Sequence, residues 1–137
     1  MDKNIKVRWS WLKFMYIYTI FGAGSVGLGR IIMPDVMRLI FGLPNSDQIS
    51  ALGVTGSVYL AFALLSILGL RSPLKFSLIL LLQLAYKSIW FIGAVIPLLL
   101  MGKYPAYAIP ITLIYVSYIV GDLIAIPFSY VFAKHLN

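Results

Sequence analysis

The sequence predicts an all-α membrane protein: an antiparallel four-helix transmembrane bundle with a short interfacial helix between the first and second spans. Three observations carry that expectation. The 137 residues are 61% hydrophobic and only 11% charged, with a mean hydropathy of +0.96, whereas a soluble domain carries roughly a quarter of its residues charged. Four apolar runs, near residues 14–33, 48–70, 76–101 and 106–132, each reach the roughly 20 residues needed to cross about 30 Å of hydrocarbon. The basic residues also fall on alternate connections. A chain of this length is expected to be a single domain over residues 1–137.

The first span follows Lys3, Lys6, Arg8 and Lys13. A faint cleavage-like Gly22-Ala23-Gly24-Ser25 is overruled because the apolar pattern continues through Val26, Leu28, Ile31 and Ile32. The first span is therefore read as retained. Its Ala23-xxx-Gly27 and Ser25-xxx-Gly29 spacings permit close helix approach. Two uses stay open for them, packing inside the bundle and association with a second copy, and the first is preferred.

Pro34 suits a first helical position. Val36, Met37, Ile40 and Phe41 form an apolar stripe that Gly42 and Pro44 stop, the pattern of a short amphipathic helix on the outer surface. Asn45-Ser46-Asp47 offers a cap for the second span. Tight turns at Arg71-Ser72-Pro73 and Gly102-Lys103-Tyr104-Pro105 join the remaining spans. Trp9, Trp11, Tyr104, Tyr107 and Tyr130 fall near the expected interfaces. Lys3, Lys6, Arg8, Lys13, Arg71, Lys75 and Lys134 share one side, against Arg30, Arg38 and Lys103 on the other. The positive-inside rule then places both termini in the cytoplasm of a multi-pass inner-membrane protein.

Lys87 and Asp122 interrupt the third and fourth runs. A charge at mid-membrane costs at least about 2.5–3.5 kcal/mol, so such residues face the bundle and seek partners. Lys87 lies twelve residues beyond Lys75 and Asp122 twelve before Lys134, both about 18 Å from the inner helix ends at 1.5 Å per residue. A Lys87–Asp122 ion pair is the expectation. The same count reaches Tyr59 in the second span and Ser25 in the first. Polar and aromatic residues also recur three or four apart in every span, the spacing of one helical face. Tyr16, Thr19, Ala23, Gly27 and Arg30 mark the first, and Gln48, Thr55, Tyr59 and Ser66 the second. Gln83, Lys87 and Trp90 mark the third, and Tyr115, Tyr118, Asp122 and Ser129 the fourth. A polar, aromatic-walled interior follows, with Tyr59, Gln83, Lys87, Trp90, Tyr115, Tyr118 and Asp122 as candidate ligand-binding residues. Pro97 and Pro127 are expected to kink their helices and free the carbonyls of Gly93 and Leu123. Arg30 is expected to snorkel toward outer headgroups.

Much chemistry is excluded. There is no cysteine or glutamate, and the single histidine is His135, so disulfides, metal sites and paired-carboxylate catalysis lack their residues. No cofactor is expected, and the residues favour a non-enzymatic role. The net charge of +7 has no soluble surface to carry a nucleic-acid patch.

Arg30-Ile-Ile-Met-Pro-Asp35, Phe41-Gly-Leu-Pro44 and Gly121-Asp-Leu-Ile-Ala-Ile-Pro127, in that order, resemble the DoxX-like group of small four-helix membrane proteins. The resemblance implies the four-helix fold. Some members of that group are linked with quinone or thiosulfate oxidation systems, and this chain has no thiol for such a role. The first functional expectation is a bundle that binds a lipophilic or amphipathic small molecule, such as a quinone, lipid or sterol-like compound. Alternatives are a proton-coupled carrier using Asp122 and Lys87, a membrane oxidoreductase or isomerase subunit, and a structural partner subunit.

Overall fold

The computed structural model describes residues 6–42 and 48–133, without the side chains of Gln48 and Ser50. Helix α1 (Trp9–Ile32) is followed by α2 (Pro34–Phe41), then by a π-helical segment (Gln48–Val54) running into α3 (Thr55–Arg71). Helix α4 (Ser77–Trp90) continues through π-helical Phe91–Val95 into α5 (Ile96–Leu100). A 3-10 turn (Ala106–Ala108) leads into α6 (Ile109–Ala125), and α7 (Phe128–Val131) closes the described chain. No strand occurs among the described residues. Four helical stretches are long and apolar enough to cross a membrane, namely Trp9–Ile32, Ala51–Arg71, Ser77–Leu100 and Ala106–Ala125.

Local chemistry explains the ends. α1 begins five residues before the expected start, because Trp9, Trp11 and Phe14 continue its apolar surface. It stops at Ile32 because Met33 precedes a proline and takes φ −130° rather than a helical value. Pro34 then occupies the first turn of α2, and Gly42 (φ +61°) ends that helix in the left-handed conformation. At the end of α5, the N–H of Gly102 (φ +65°) donates to Leu99 O at 3.1 Å and that of Lys103 to Leu98 O at 3.0 Å. This paired closure satisfies two terminal carbonyls. The expected cap at Asn45–Asp47 and the basic residues Lys3 and Lys134 lie outside the described residues.

The two prolines behave differently from expectation. Pro97 does not kink an α-helix at Gly93. The ladder widens to i→i−5, with the Ile96 N–H bonded to Phe91 O, and Pro97 falls in the first turn of α5, where a missing donor costs little. Pro127 ends the fourth span at Ala125 instead of bending it, so that span does not run to residue 132. Ile126 is driven to ψ 125° by the proline after it. The freed carbonyl of Ile124 accepts a 3.1 Å hydrogen bond from Arg8 Nη1.

Helices α1 and α3 make the closest approach. A Cβ added to Gly27 would stand 2.7 Å from both Gly56 O and Leu60 N, and one on Gly24 would be 3.1 Å from the Ala63 Cβ. Nearer the start of α1, the Tyr16 ring lies flat against Gly69, and its hydroxyl donates to Pro73 O at 2.7 Å. Gly29 receives Met37 of α2. Gly24, Gly27 and Gly29 of α1 are thus occupied within the chain. Leu12, Met15, Tyr16, Leu80, Leu84, Tyr118, Ala125 and Ile126 form a filled core around the start of α1 and the end of α6. In no span is more than 39% of the apolar window buried. Phe21, Leu39, Ile89, Leu100 and Leu113 point outward, which suits contact with acyl chains.

Gly27→Leu should force the α1 and α3 backbones apart, at about 1–3 kcal/mol, the usual cost of overpacking. Gly93→Ala meets nothing within 4 Å and should leave thermal stability in detergent unchanged or slightly higher. Equal melting temperatures for wild type and Gly27→Leu would contradict the packing.

Candidate functional site: a tyrosine-walled cleft over a buried lysine

On α4 the buried residues Leu80, Gln83, Leu84 and Lys87 recur three and four apart and so share one face. On α6 the corresponding face carries Tyr115, Tyr118, Asp122 and Ala125. Thr19 on α1 meets the α4 face at Gln83. Its hydroxyl lies 3.4 Å from the oxygen and from the nitrogen of the Gln83 amide, and it donates to Met15 O at 2.7 Å. Gln83 Nε2 donates to Asp122 Oδ2 at 3.0 Å and lies 3.4 Å from Oδ1. Thr19, Gln83 and Asp122 are fully buried. A polar chain therefore ties α1, α4 and α6 together inside the apolar core.

Lys87 does not join Asp122 in an ion pair. Between described residues the ion pair is the exposed Arg38–Asp35 contact at 2.9 Å. Lys87 Nζ instead donates to the Tyr86 hydroxyl at 2.6 Å. It stands 4.4 Å from the ring centroids of Tyr86 and Tyr118 and 4.9 Å from that of Tyr115, inside the range of cation–π attraction. The reason for the mismatch is the break at Pro127. Counting depth back from Lys134 treats residues beyond Ala125 as helix, and so places Asp122 too deep. It lies one turn from the end of α6, level with Gln83, which takes its carboxylate.

Above this layer the helices leave a cavity of about 250 Å³. Its wall is aromatic: Tyr18 on α1, Tyr59 on α3, Tyr86 on α4, and Tyr115 and Tyr118 on α6, with Lys87 among them. The phenol hydroxyls are bonded to a backbone carbonyl, a serine and each other. Tyr118 donates to Tyr18 O at 3.1 Å, the Tyr18 hydroxyl bonds Ser117 Oγ at 2.7 Å, and the Tyr59 and Tyr115 hydroxyls bond each other. Gly22 leaves room for the Tyr118 hydroxyl, which any side chain there would strike. Ser25 and Ile114 line the cavity yet are themselves exposed. The cavity therefore reaches the outer surface of the bundle between α1 and α6.

Of the seven candidate residues, Tyr59, Lys87, Tyr115 and Tyr118 line this space. Gln83 and Asp122 lie in the polar chain beside it. Trp90 backs the wall, edge-on to Tyr115 at 4.9 Å between centroids. The sequence reading passed over Tyr86 and Tyr18. Tyr86 could have been found, since it lies three residues after Gln83 and four before Trp90. Arg30 does not snorkel outward: it is 8% exposed, donates to Thr55 Oγ1 at 2.8 Å and lies over the Tyr59 ring at 5.1 Å. No group of three or more His, Cys, Asp or Glu residues able to hold a metal occurs among the described residues.

Gln83→Leu should strand the Asp122 carboxylate and cost about 1–3 kcal/mol or more, the penalty for an unsatisfied buried acceptor. Asp122→Leu added to it should recover part of that loss. A double-mutant cycle on thermal stability measures the coupling, and strict additivity would dissolve the polar chain. Compared with known families, curated proteins and solved structures, the chain matches no family model, no curated protein and no solved structure.

Proposed function

We propose that this chain is an inner-membrane protein that holds a small lipophilic or amphipathic molecule in the interior of its helix bundle. The observation that carries the reading is the 250 Å³ cleft, walled by five tyrosines and open sideways between α1 and α6. Apolar walls with a few convergent polar groups are what a small-molecule site needs, and a sideways opening suits a molecule dissolved in the bilayer. A proton carrier ranks second, because Leu12, Met15, Leu80, Leu84, Ala125 and Ile126 fill the core at the α6 end where Asp122 lies. DoxX-like membership belongs to the same reading, on the three short motifs that resemble that group.

The proposal includes an antiparallel bundle with both termini cytoplasmic and α2 lying at the outer interface. Supporting it are the pairings Tyr16 with Pro73, Gly24 with Ala63 and Arg30 with Thr55, which run in opposite senses along α1 and α3. Val36, Leu39 and Ile40 of α2 are exposed while Met37 is buried, as a helix lying on a membrane surface requires. A cysteine at Lys103 should react with an impermeant thiol reagent added outside intact cells, and one at Ser72 should not. Reversed labelling would invert the topology.

Protein released from its native membrane into native mass spectrometry should carry a small lipophilic adduct. Ser25→Phe with Ile114→Trp, both at exposed positions lining the cleft, should remove it without loss of fold. An adduct that persists in the filled variant would place the molecule elsewhere, and no adduct in either protein would count against the reading.

A further inference from the structure

We propose that the cleft selects amphiphiles whose head is a single aromatic ring bearing a carboxylate, admitted sideways from the bilayer between α1 and α6 and seated on Lys87. This rests on the small-molecule reading above and narrows it to a chemical class.

The charge comes first. Lys87 is 2% exposed and borders the cavity. An ammonium has three donors, and the Tyr86 hydroxyl takes one. The ring faces of Tyr86, Tyr115 and Tyr118 surround it, and these stabilise a cation without neutralising it. The nearby carboxylate, Asp122, acts on Lys87 through space, but it lies beyond ion-pair distance in the layer below and its oxygens are held by Gln83. The neighbouring charged group on the α1–α3 side, Arg30 over the Tyr59 ring, is a second cation. A buried charge calls for an opposite one, and the cleft is where an anion can supply it.

Size and shape fix the rest. An apolar cavity of about 150 Å³ accepts benzene, so 250 Å³ takes one substituted ring and little more. Tyr18, Tyr59, Tyr115 and Tyr118 offer flat faces and edges to such a ring, with ring pairs preferring offset or edge-on contact. A longer alkyl tail does not fit inside, and the gap between Gly22 and Ser25 on one side and Ile111 and Ile114 on the other leads it back among the acyl chains.

The test uses the full chain in zwitterionic phosphatidylcholine nanodiscs, titrated with 4-butylbenzoate and its methyl ester, with tyrosine and tryptophan fluorescence as readout. Each signal is corrected for partition into empty nanodiscs. Wild type should bind the carboxylate at least tenfold more tightly than the ester. Lys87→Met should erase that preference while Lys87→Arg keeps it. Should Lys87→Met fail to fold, Ile114→Trp leaves the lysine in place and should slow benzoate association at least fivefold. Equal binding of acid and ester by wild type would overturn the carboxylate head and leave the lipophilic-ligand reading standing. Binding of neither, together with no native adduct, would overturn both. An unchanged association rate in Ile114→Trp would overturn the sideways route.

Discussion

The contact of two backbones at Gly27 and Gly56 sets the spacing on which the rest of the bundle depends. In a membrane no hydrophobic effect draws helices together, so close approach through small residues and interhelical hydrogen bonds must do it. Here the first and second spans meet along their length, with Tyr16 laid on Gly69 at one end and Arg30 bonded to Thr55 at the other. Because those two are held near, α4 and α6 are left to bridge the remaining space with longer side chains. Gln83, Lys87, Tyr115 and Tyr118 are those side chains. The interior is polar and aromatic where the helices are far apart, and small where they are close.

That division also separates a filled half from an open one. Toward the start of α1, Met15 lies against Gly121 and the space between helices is taken up by Leu, Met and Ala side chains. Beyond Tyr18, α1 and α6 meet through the Tyr118 hydroxyl at Gly22, and rigid phenol rings span what leucines would otherwise fill. Rings fixed at their hydroxyls by a neighbouring phenol, a serine or a backbone carbonyl cannot collapse into the gap as flexible side chains do. The cleft is therefore maintained by stiffness as well as by shape.

Much of this was legible in the sequence, and the failures are instructive. Four spans follow from hydropathy because lipid imposes a minimum length that chance seldom produces. The faces carrying Thr19, Gln83 and Asp122 follow from the three-or-four spacing, since polar groups cannot be left against acyl chains. The pairing of Lys87 was misjudged because depth was counted along a helix that Pro127 had already ended. The roles of proline were likewise local matters: Pro97 rides on a widened turn, which no periodicity reports. Position alone assigns Arg30 to the surface, whereas the Thr55 hydroxyl at the start of α3 and the Tyr59 ring one turn on give it a place inside. Tyr18 could not have been chosen, because whether a tyrosine faces a gap or a neighbour depends on how two helices diverge.

The caged lysine bears on how the chain is made. The third span carries Lys87 near its middle, and an isolated helix with such a charge meets the insertion penalty alone. Tyr86 is its own neighbour, but the other two rings of the cage, Tyr115 and Tyr118, belong to the span synthesised next. Until that span arrives the ammonium has one aromatic face instead of three. The third helix by itself thus lacks two of the three rings around its lysine, and only the short connection through Gly102 and Lys103 separates it from the span that supplies them. The cage around the lysine is complete only when the last span is in place.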